Sequence, residues 1–365
     1  MPQKFKRKIL KYLPYTKPAV LAGILLFLIF LSFRFLLPFY KFVKQEQITP
    51  AFLRSFIFNS ESPLKKYQSR TNVIILGIAG GEHDGPDLTD TMILISIDFN
   101  RYDGVMVSIP RDIWMPSLRD KINSAYHYGE EKKKGGGLSL AKSVVEEVIG
   151  QPVHYAWVID FSGFKKLIDL IVGVDIFVEN EFTDKFYPIA GRENDFCGGD
   201  PQFLCRYETL RFEKGWQHMD GETALKYVRS RQATGEEGTD FARGRRQQQI
   251  IAAMKNKLLK SSFLWQDPVK LKEVFGAFDD ATDTDMKLSE QALFLKFFLK
   301  ISDDKIRKIV LDSGDEKKGI KGFLVNPPLW EYNGEWVLVP RSGNFEEIHQ
   351  FISCQLQNSN CSLKP

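Results

Sequence analysis

The pattern of apolar and polar positions predicts a domain in which strands and helices alternate. Short runs rich in Ile and Val, each bounded by Gly, Asp or Pro, are typical of buried strands, and apolar residues at helical spacing predict the helices. The predicted strands are Asn72–Ala79, Thr91–Asp98, Val105–Ile109, Tyr155–Asp160, Val174–Val178, Ile306–Leu311 and Glu335–Val339. The predicted helices are Ser139–Ile149, Ser162–Ile171, one opened by Asp220, one opened by Asp240, Ser289–Leu299 and Phe345–Leu356. This alternation predicts an α/β fold with a mixed central sheet and helices on both faces, a three-layer α/β/α arrangement.

The N-terminal stretch predicts a membrane anchor. Between Lys17 and Lys41 stand 23 residues with one charge, Arg34, which can snorkel toward an interface. Residues 1–17 carry six lysines and arginines and no acid, so the positive-inside rule places the N-terminus in the cytoplasm and the body outside it. A cleaved signal peptide is the competing interpretation. The long apolar region without a clear A-x-A site favours the uncleaved anchor.

Length and charge then define the domain organisation. The predicted segments are a basic cytoplasmic tail (1–17), a transmembrane helix (18–40), a juxtamembrane stalk (41–70), an extracytoplasmic catalytic domain (71–357) and a C-terminal tail (358–365). The net charge of the 365-residue chain is +4, and the basic tail supplies more than that excess. The body is therefore faintly acidic, which argues against a nucleic-acid partner. The predicted location is the cell membrane, with a single pass.

The cysteines are compatible with an exported body. The chain has four, in the close pairs Cys197 with Cys205 and Cys354 with Cys361, without metal-site spacing. Disulfides between near neighbours are the natural pairing, although four cysteines allow three connectivities. The alternative is four buried thiols in a reducing compartment, which the predicted orientation in the membrane opposes.

A cluster of arginines is the strongest functional signal in the sequence. The run Tyr227–Gln249 contains five arginines, with the carboxylate of Asp240 between the two groups. Helical spacing from Asp240 onward places Arg243, Arg246 and Gln247 on one face at the first turns. Cations at a helix start oppose the helix dipole, so the pattern predicts that an anion, best a phosphate, is bound there. The alternative is a solvated basic helix end paired with neighbouring glutamates.

Further candidates stand at predicted strand ends, where α/β sheets bind ligands. Asp90, with Asp87 close by, lies just before a buried strand and offers carboxylates for Mg²⁺, although Asp-rich loops are often simple turns. Arg111 follows Pro110, which cannot pair in a sheet, so its side chain is expected beyond the strand end. A structural ion pair with Asp112 is the alternative role for Arg111. Lys121 adds a cation shortly afterwards.

Taken together, these motifs resemble those of the LytR-CpsA-Psr family of bacterial envelope proteins. The ordered set comprises LTDT, SIPRD, KINSAY, FSGFKKLIDLIVGVDI, GETALKYVRSR and DFARGRRQQQ. The resemblance runs from about residue 72 to 259 and more weakly to about 357. It implies a phosphotransferase that moves a glycopolymer from a polyprenyl-pyrophosphate carrier onto peptidoglycan, assisted by Mg²⁺.

The resemblance also implies roles for individual residues. It assigns catalysis to Arg111, Asp240, Arg229 and Arg231, lipid-pyrophosphate binding to Arg243, Gln247, Lys121 and Arg246, and the metal to Asp90 and Asp87. Asp240 would be the general base or would orient an arginine, and Arg246 would support the site from behind. The chain departs from the family pattern at Ala79, where many relatives carry a metal-binding Asp, and at Leu88, where they carry an Arg.

Three other functions compete with the transferase. A scaffold protein would hold the lipid pyrophosphate without transferring it, and a pyrophosphatase would pass the phosphate to water. A membrane-tethered transcription regulator is excluded by the cytoplasmic tail, which is too short to fold into a DNA reader.

Overall fold

Short β-branched runs and amphipathic segments of this chain assemble into a mixed sheet covered by helices. The computed structural model describes residues 64–81, 85–260, 276–278, 281–315, 319–357 and 361. The predicted cytoplasmic tail and membrane helix, residues 1–40, lie outside these ranges. Among the residues described, no helix combines the length and apolar character that a membrane crossing requires.

The chain divides into two compact units. One comprises Leu64–Met286 and Phe294–Pro365, and it contains the sheet and the candidate site. The other comprises Met1–Pro63 and Lys287–Leu293, of which only the short second stretch is described, as part of a helix.

The strands and helices are numbered in chain order. The strands are β1 Arg70–Ile78, β2 Thr89–Asp98, β3 Asp103–Ser108, β4 Trp114–Met115, β5 Asp120–Lys121, β6 Tyr155–Asp160, β7 Val174–Val178, β8 Phe182–Pro188, β9 Tyr207–Phe212, β10 Gly215–Met219, β11 Thr282–Thr284, β12 Ile306–Val310, β13 Gly314–Asp315, β14 Ile320–Lys321, β15 Leu324–Val325 and β16 Val339–Pro340. The helices are α1 Ala125–Lys132, α2 Gly136–Ile149, α3 Phe161–Leu170, α4 Gly221–Arg229, α5 Asp240–Lys260, α6 Leu288–Lys300 and α7 Glu346–Gln357.

The central sheet is mixed, as the sequence predicts. It has six strands in the order β11–β6–β1–β2–β3–β12. β1 runs parallel to β6 and β3 runs parallel to β12, whereas β2 is antiparallel to both β1 and β3. The carboxyl ends of β1, β3, β6 and β12 therefore meet the amino end of β2 at one edge of the sheet. This edge carries the candidate site.

Helices cover both faces of the sheet because side chains along each strand alternate between the two faces. One face buries Ile74, Leu94 and Val107 against Val145 of α2 and Ile352 of α7. On the opposite face, Trp157 of β6 makes an edge contact with Phe294 of α6, with ring centroids 5.7 Å apart. Helix α5 crosses the same face. A Cβ added at Gly244 would lie 3.2 Å from Ser108 Cβ, so glycine permits this close approach of helix to sheet.

A second apolar core lies outside the central sheet. It joins strands β7 to β10 with α3, α4 and part of α5, through buried residues such as Phe182, Leu225 and Ile250. β7 pairs with β10, and β8 pairs with β9. No strand is predicted from the sequence between β7 and the helix opened by Asp220, where β8, β9 and β10 form. The pairing of this stretch into strands depends on contacts between residues distant in the chain, which local periodicity does not report.

Some boundaries differ from the sequence predictions. Glu335–Val339 is not a continuous strand: Asn333 and Gly334 adopt positive φ and form a turn, and pairing is limited to a bridge at Leu338 and the short strand Val339–Pro340. The body also begins before residue 71, because Leu64 is buried and the backbone N–H of Lys65 donates to the Tyr155 hydroxyl at 2.9 Å. Helix α1, which was not predicted, carries only a weak apolar stripe.

The cysteines lie in the two near-neighbour pairs. Cys197 and Cys205 have Cα atoms 5.4 Å apart, and Cys354 and Cys361 have Cα atoms 5.6 Å apart, both within the range that a disulfide spans. Each pair closes a loop of fewer than ten residues. The pairs therefore brace local segments, the β8–β9 connection and the end of α7.

We expect peptide mass spectrometry without reduction to find Cys197 linked to Cys205 and Cys354 linked to Cys361, because these thiols lie closest and an oxidising compartment is predicted. Reduction before alkylation should release both linkages and serves as the control. Free thiols in the unreduced full-length chain, or crossed linkages, would contradict the prediction.

Candidate active site

Arg111 lies just beyond the end of β3, at the sheet edge where four strands terminate. Its guanidinium forms an ion pair with Asp90 near the start of β2, and its Nε lies 3.4 Å from Asp112 Oδ2. The backbone around it is fixed, since the N–H of Asn123 donates to the Arg111 carbonyl at 3.3 Å. Both alternatives from the sequence thus coincide: Arg111 projects beyond the strand and also pairs with Asp112.

Helix α5 brings Arg243 to the same place. Thr239 caps the helix start, with its hydroxyl accepting from the Ala242 N–H at 3.1 Å. One turn on, Gln247 donates to the Thr91 hydroxyl at 2.7 Å, and Gln248 donates to the Ser108 hydroxyl at 2.8 Å. These two amides tie the first turns of α5 across β2 and β3. Arg243, only 7% exposed, is thereby held at the sheet edge.

The charges of this edge act on one another. Burial lowers the pKa of Arg243, and the nearby cations Arg111 and Arg231 lower it further, against the raising effect of Asp240 and Asp90. Arg243 Nη1 lies 3.0 Å from Asp240 Oδ1. Arg111 and Arg231 therefore lie close enough to Arg243 for their charges to act on its guanidinium.

The pKa of Arg111 is shifted in the opposite direction from that of Arg243. Burial alone would lower its pKa, but the carboxylates of Asp90, Asp112 and Asp240 outweigh burial and raise it. Asp240 thus influences both Arg111 and Arg243. This geometry favours its orienting role, because its carboxylate is engaged with the Arg243 guanidinium.

Arg229 and Arg231 stand on either side of Ser230 at the end of α4. The Arg229 guanidinium stacks on the Phe161 ring, 4.1 Å from its centroid, and donates to the Tyr187 hydroxyl at 3.2 Å. Phe161 directly follows β6, so Arg229 is anchored at the same edge of the sheet. Arg231 is exposed, and within the described ranges its guanidinium makes no ion pair. It is the cation of the group most accessible to a ligand.

Arg246 uses all three of its guanidinium nitrogens on protein groups. Its buried guanidinium donates to the carbonyls of Tyr227, Ser230 and Glu237, and it pairs with the Glu237 carboxylate at 2.8 Å. The bond to the Ser230 carbonyl fixes the residue between Arg229 and Arg231. Arg246 is therefore committed to protein groups and positions the others. Arg246 therefore pairs with a neighbouring glutamate, as the alternative interpretation of the sequence predicts, but its guanidinium is buried and not exposed to solvent.

Lys121 is linked to the cluster by one intermediate residue. Its Nζ lies 3.4 Å from Asp112 Oδ1 and 3.7 Å from Glu335 Oε2. The opposite oxygen of Asp112 faces Arg111. Lys121 is thus placed at the rim of the site, and not among the arginines.

The two carboxylates assigned to a metal each have a partner in the protein. Asp90 pairs with Arg111 through Oδ1, and Asp87 bonds through Oδ2 to His127 Nδ1 at 2.9 Å. The one group of three metal-ligating side chains found within the described ranges is Asp195 with Cys197 and Cys205, whose sulfurs are joined to each other. Asp84, a further carboxylate that precedes Asp87 in the sequence, lies outside the described residues.

Sequence reasoning missed a buried carboxylate that shapes the α4 end. Asp184 on β8 accepts from the Ser230 hydroxyl at 2.7 Å and from the backbone N–H groups of Arg231 and Gln232 at 3.3 and 3.2 Å. A carboxylate that accepts several such bonds fixes the chain direction after α4 and so aims Arg231. Asp184 and Ser230 are 46 positions apart in the sequence, and no local pattern connects them.

We expect the Asp87–His127 bond to hold the pKa of His127 above its ordinary value, because the hydrogen bond to the carboxylate favours the charged imidazole. The pair then stabilises the fold at low pH, and this contribution is lost as pH rises through the raised pKa. An NMR titration of histidine ring protons should show the His127 pKa falling toward its ordinary value in Asp87→Asn.

The control is Asp120→Asn, which removes the partner of neighbouring Tyr128 and should leave His127 unchanged. An unaltered His127 titration in Asp87→Asn would contradict the pairing. If Mg²⁺ instead lowers the His127 pKa of the unsubstituted protein, Asp87 is drawn to the cation.

Comparison with known proteins shows the family and the fold of this chain. The chain is 27% identical over 299 residues to the polyisoprenyl-teichoic acid–peptidoglycan teichoic acid transferase TagU of Oceanobacillus iheyensis, covering 80% of this chain and 78% of the relative. It is 28% identical over 296 residues to the corresponding transferase TagT of Bacillus subtilis, covering 77% and 78%. The crystal structure of B. subtilis TagV shares the fold, with a TM-score of 0.55, 22% identity and coverage of 80% of this chain and 98% of that one. The model of the LytR_cpsA_psr family matches residues 43–331, and this protein belongs to that family.

Proposed function

We propose that this protein is a membrane-anchored phosphotransferase that moves a glycopolymer from a polyprenyl-pyrophosphate carrier onto peptidoglycan. The relatives TagU and TagT carry the name of such transferases. The observation that carries the proposal is the position of Arg111 and Arg243 at one sheet edge, where they pair with Asp90 and Asp240. Arg231 lies near enough for its charge to act on Arg243. Guanidinium forks placed in this way suit the oxygens of a diphosphate.

The charge balance of the edge supports an anionic ligand. A buried guanidinium that lies beside two others is costly unless negative groups surround it. Asp90 and Asp240 offset part of this charge, and Arg231 remains exposed. A diphosphate would supply the remaining negative charge and would compete with Asp90 for Arg111.

Breaking the pyrophosphate bond requires charge neutralisation on the transferred and the departing phosphates. In the proposed reaction a sugar hydroxyl of the acceptor attacks the phosphorus that carries the glycopolymer. The bond from this phosphorus to the bridging oxygen breaks, the polyprenyl phosphate leaves with that oxygen, and the hydroxyl proton passes to solvent. Arg111 and Arg243 hold the phosphates in line and stabilise the developing charge. Asp240 keeps Arg243 oriented, and Gln247, bonded to Thr91, offers an amide at the same edge.

The residues present suit a Mg²⁺ ion that is shared with the substrate. Mg²⁺ is usually held by one or two carboxylates together with substrate phosphates and water. Asp90 Oδ2 has no partner among the described residues, and Asp87 lies on the preceding loop. Asp90 would hold the ion, with Asp87 as the second candidate, and the ion would neutralise charge on the phosphate oxygens. Ala79 offers no third carboxylate.

We expect Arg111→Ala and Arg243→Ala each to lower the rate of transfer by about 10²–10³-fold, because each removes a preorganised donor to the phosphates. The assay is transfer from a synthetic polyprenyl-pyrophosphate glycan to peptidoglycan by the full-length chain. Arg245→Ala is the matched control, since Arg245 is exposed on the same helix and should be dispensable. Circular dichroism should show that every variant is folded. Transfer at the unsubstituted rate in Arg111→Ala and Arg243→Ala would remove both residues from the mechanism.

The fate of the phosphate separates the transferase from its rivals. With donor, Mg²⁺ and peptidoglycan together, the proposed function predicts a phosphodiester on the glycan, detected by mass spectrometry of muramidase digests. Donor cleavage with equal release of free glycan phosphate, with or without peptidoglycan, would identify a pyrophosphatase. Tight donor binding without cleavage under any condition would identify a scaffold protein.

A further inference from the structure

A cluster of exposed aromatic residues lies at the rim of the site. Between residues 329 and 336 the chain exposes Leu329, Trp330 and Trp336, with the two indoles 79% and 44% accessible. Single exposed apolar residues need no explanation, but two tryptophans within one short segment, next to a site, do. Tyr332 and Trp336 also lie beyond the residues that the family model matches.

The segment is fastened directly to the site. The Leu338 N–H donates to the Asp112 carbonyl at 2.8 Å, and the Trp114 N–H donates to the Leu338 carbonyl at 2.9 Å. Tyr332 packs edge-on against Trp114, with ring centroids 5.1 Å apart. Asp112 and Trp114 lie one and three residues after Arg111. The aromatic segment and the arginine cluster are therefore attached to the same short stretch of chain.

A chain of ion pairs also connects the aromatic segment to Arg111. Arg111 Nε lies 3.4 Å from Asp112, whose other oxygen lies 3.4 Å from Lys121 Nζ. The same Nζ lies 3.7 Å from Glu335 Oε2. Glu335 is therefore two charged side chains away from Arg111.

The turn that carries the indoles is ordered by its own backbone. Residues Leu329–Tyr332 form a short 3-10 helix, and the Gly334 N–H donates to the Leu329 carbonyl at 2.8 Å. Asn333 and Gly334 adopt positive φ, which reverses the chain between the two tryptophans. Glu331, Asn333 and Glu335 are exposed around them. Flat apolar rings thus alternate with groups that donate and accept hydrogen bonds.

We propose that Trp330, Trp336 and the polar side chains around them form a platform that binds the sugar rings of the acceptor glycan; this rests on the proposed function. One face of a pyranose ring is rich in C–H groups and packs against an indole, while its hydroxyls suit carboxylates and amides. The acceptor is a long polymer that must reach the site from outside, so it needs an open surface. An open platform beside Arg111 meets that need.

The test compares Trp330→Ala/Trp336→Ala with Trp216→Ala, since Trp216 is 74% exposed on β10 and serves as a matched control. The full-length chain in detergent is sedimented with insoluble peptidoglycan, and transfer is measured at varied donor and varied acceptor. We expect the double variant to lose peptidoglycan affinity by about tenfold and to raise the KM for acceptor to a similar extent. Its KM for donor, and all properties of Trp216→Ala, should be unchanged. If Trp330→Phe keeps the peptidoglycan affinity and the KM for acceptor of the unsubstituted chain, an aromatic ring at this position is sufficient for binding.

Several outcomes would overturn the platform. They are unchanged sedimentation, an equal loss in Trp216→Ala, a raised KM for donor alone, and a dimer of this chain that the double variant dissociates. Arg111→Ala separates the two proposals, because it should stop transfer and still sediment normally. If the unsubstituted chain binds peptidoglycan through the tryptophans but transfers nothing, the proposed function fails and the platform stands.

Discussion

The repulsion between guanidinium groups at one sheet edge is the constraint on which the site depends. Arg243 is buried, Arg111 is close to it, and the charge of each cation opposes the other. Such an arrangement survives only where carboxylates are positioned to offset it, since an unpaired buried charge is strongly destabilising. Asp90 and Asp240 meet this requirement from β2 and from the first turn of α5. The fold thus holds together a cationic surface that an isolated helix would not form.

The surrounding structure makes this surface rigid. Gln247 and Gln248 bind α5 to the sheet, and Gly244 allows the close contact. Behind them, Arg246 and Asp184 fix the chain between Arg229 and Arg231 through buried hydrogen bonds. Preorganisation of this kind is what electrostatic catalysis requires, because donors that are already in place cost no reorganisation during the reaction. Two of the arginines in the run therefore have different tasks: Arg243 faces the site and Arg246 braces it.

Family membership accounts for the shared architecture. Ala79 offers no carboxylate, so the charges described at the edge come from the arginines and from Asp90 and Asp240. The aromatic segment around Trp330 adds a surface beside the same edge, attached through Asp112. Under the proposed function, one edge of the sheet would bring together the diphosphate of the donor and the sugar of the acceptor. The proximity of the two reactants is itself a large part of the rate enhancement expected.

The sequence by itself determined the strand-and-helix alternation, the mixed sheet and the residues of the arginine cluster. These follow from local periodicity, from Pro110 at the end of β3 and from the charge conflict at the start of α5, which are all readable over a few residues. Only the tertiary structure decided which arginine faces the site, because Arg243 and Arg246 share a helix face and differ in partners that are far away in the chain. It also decided that Asp87 pairs with His127 and that Asp184 aims Arg231. Partners so distant in sequence leave no local pattern, since they meet only when the sheet and helices have packed.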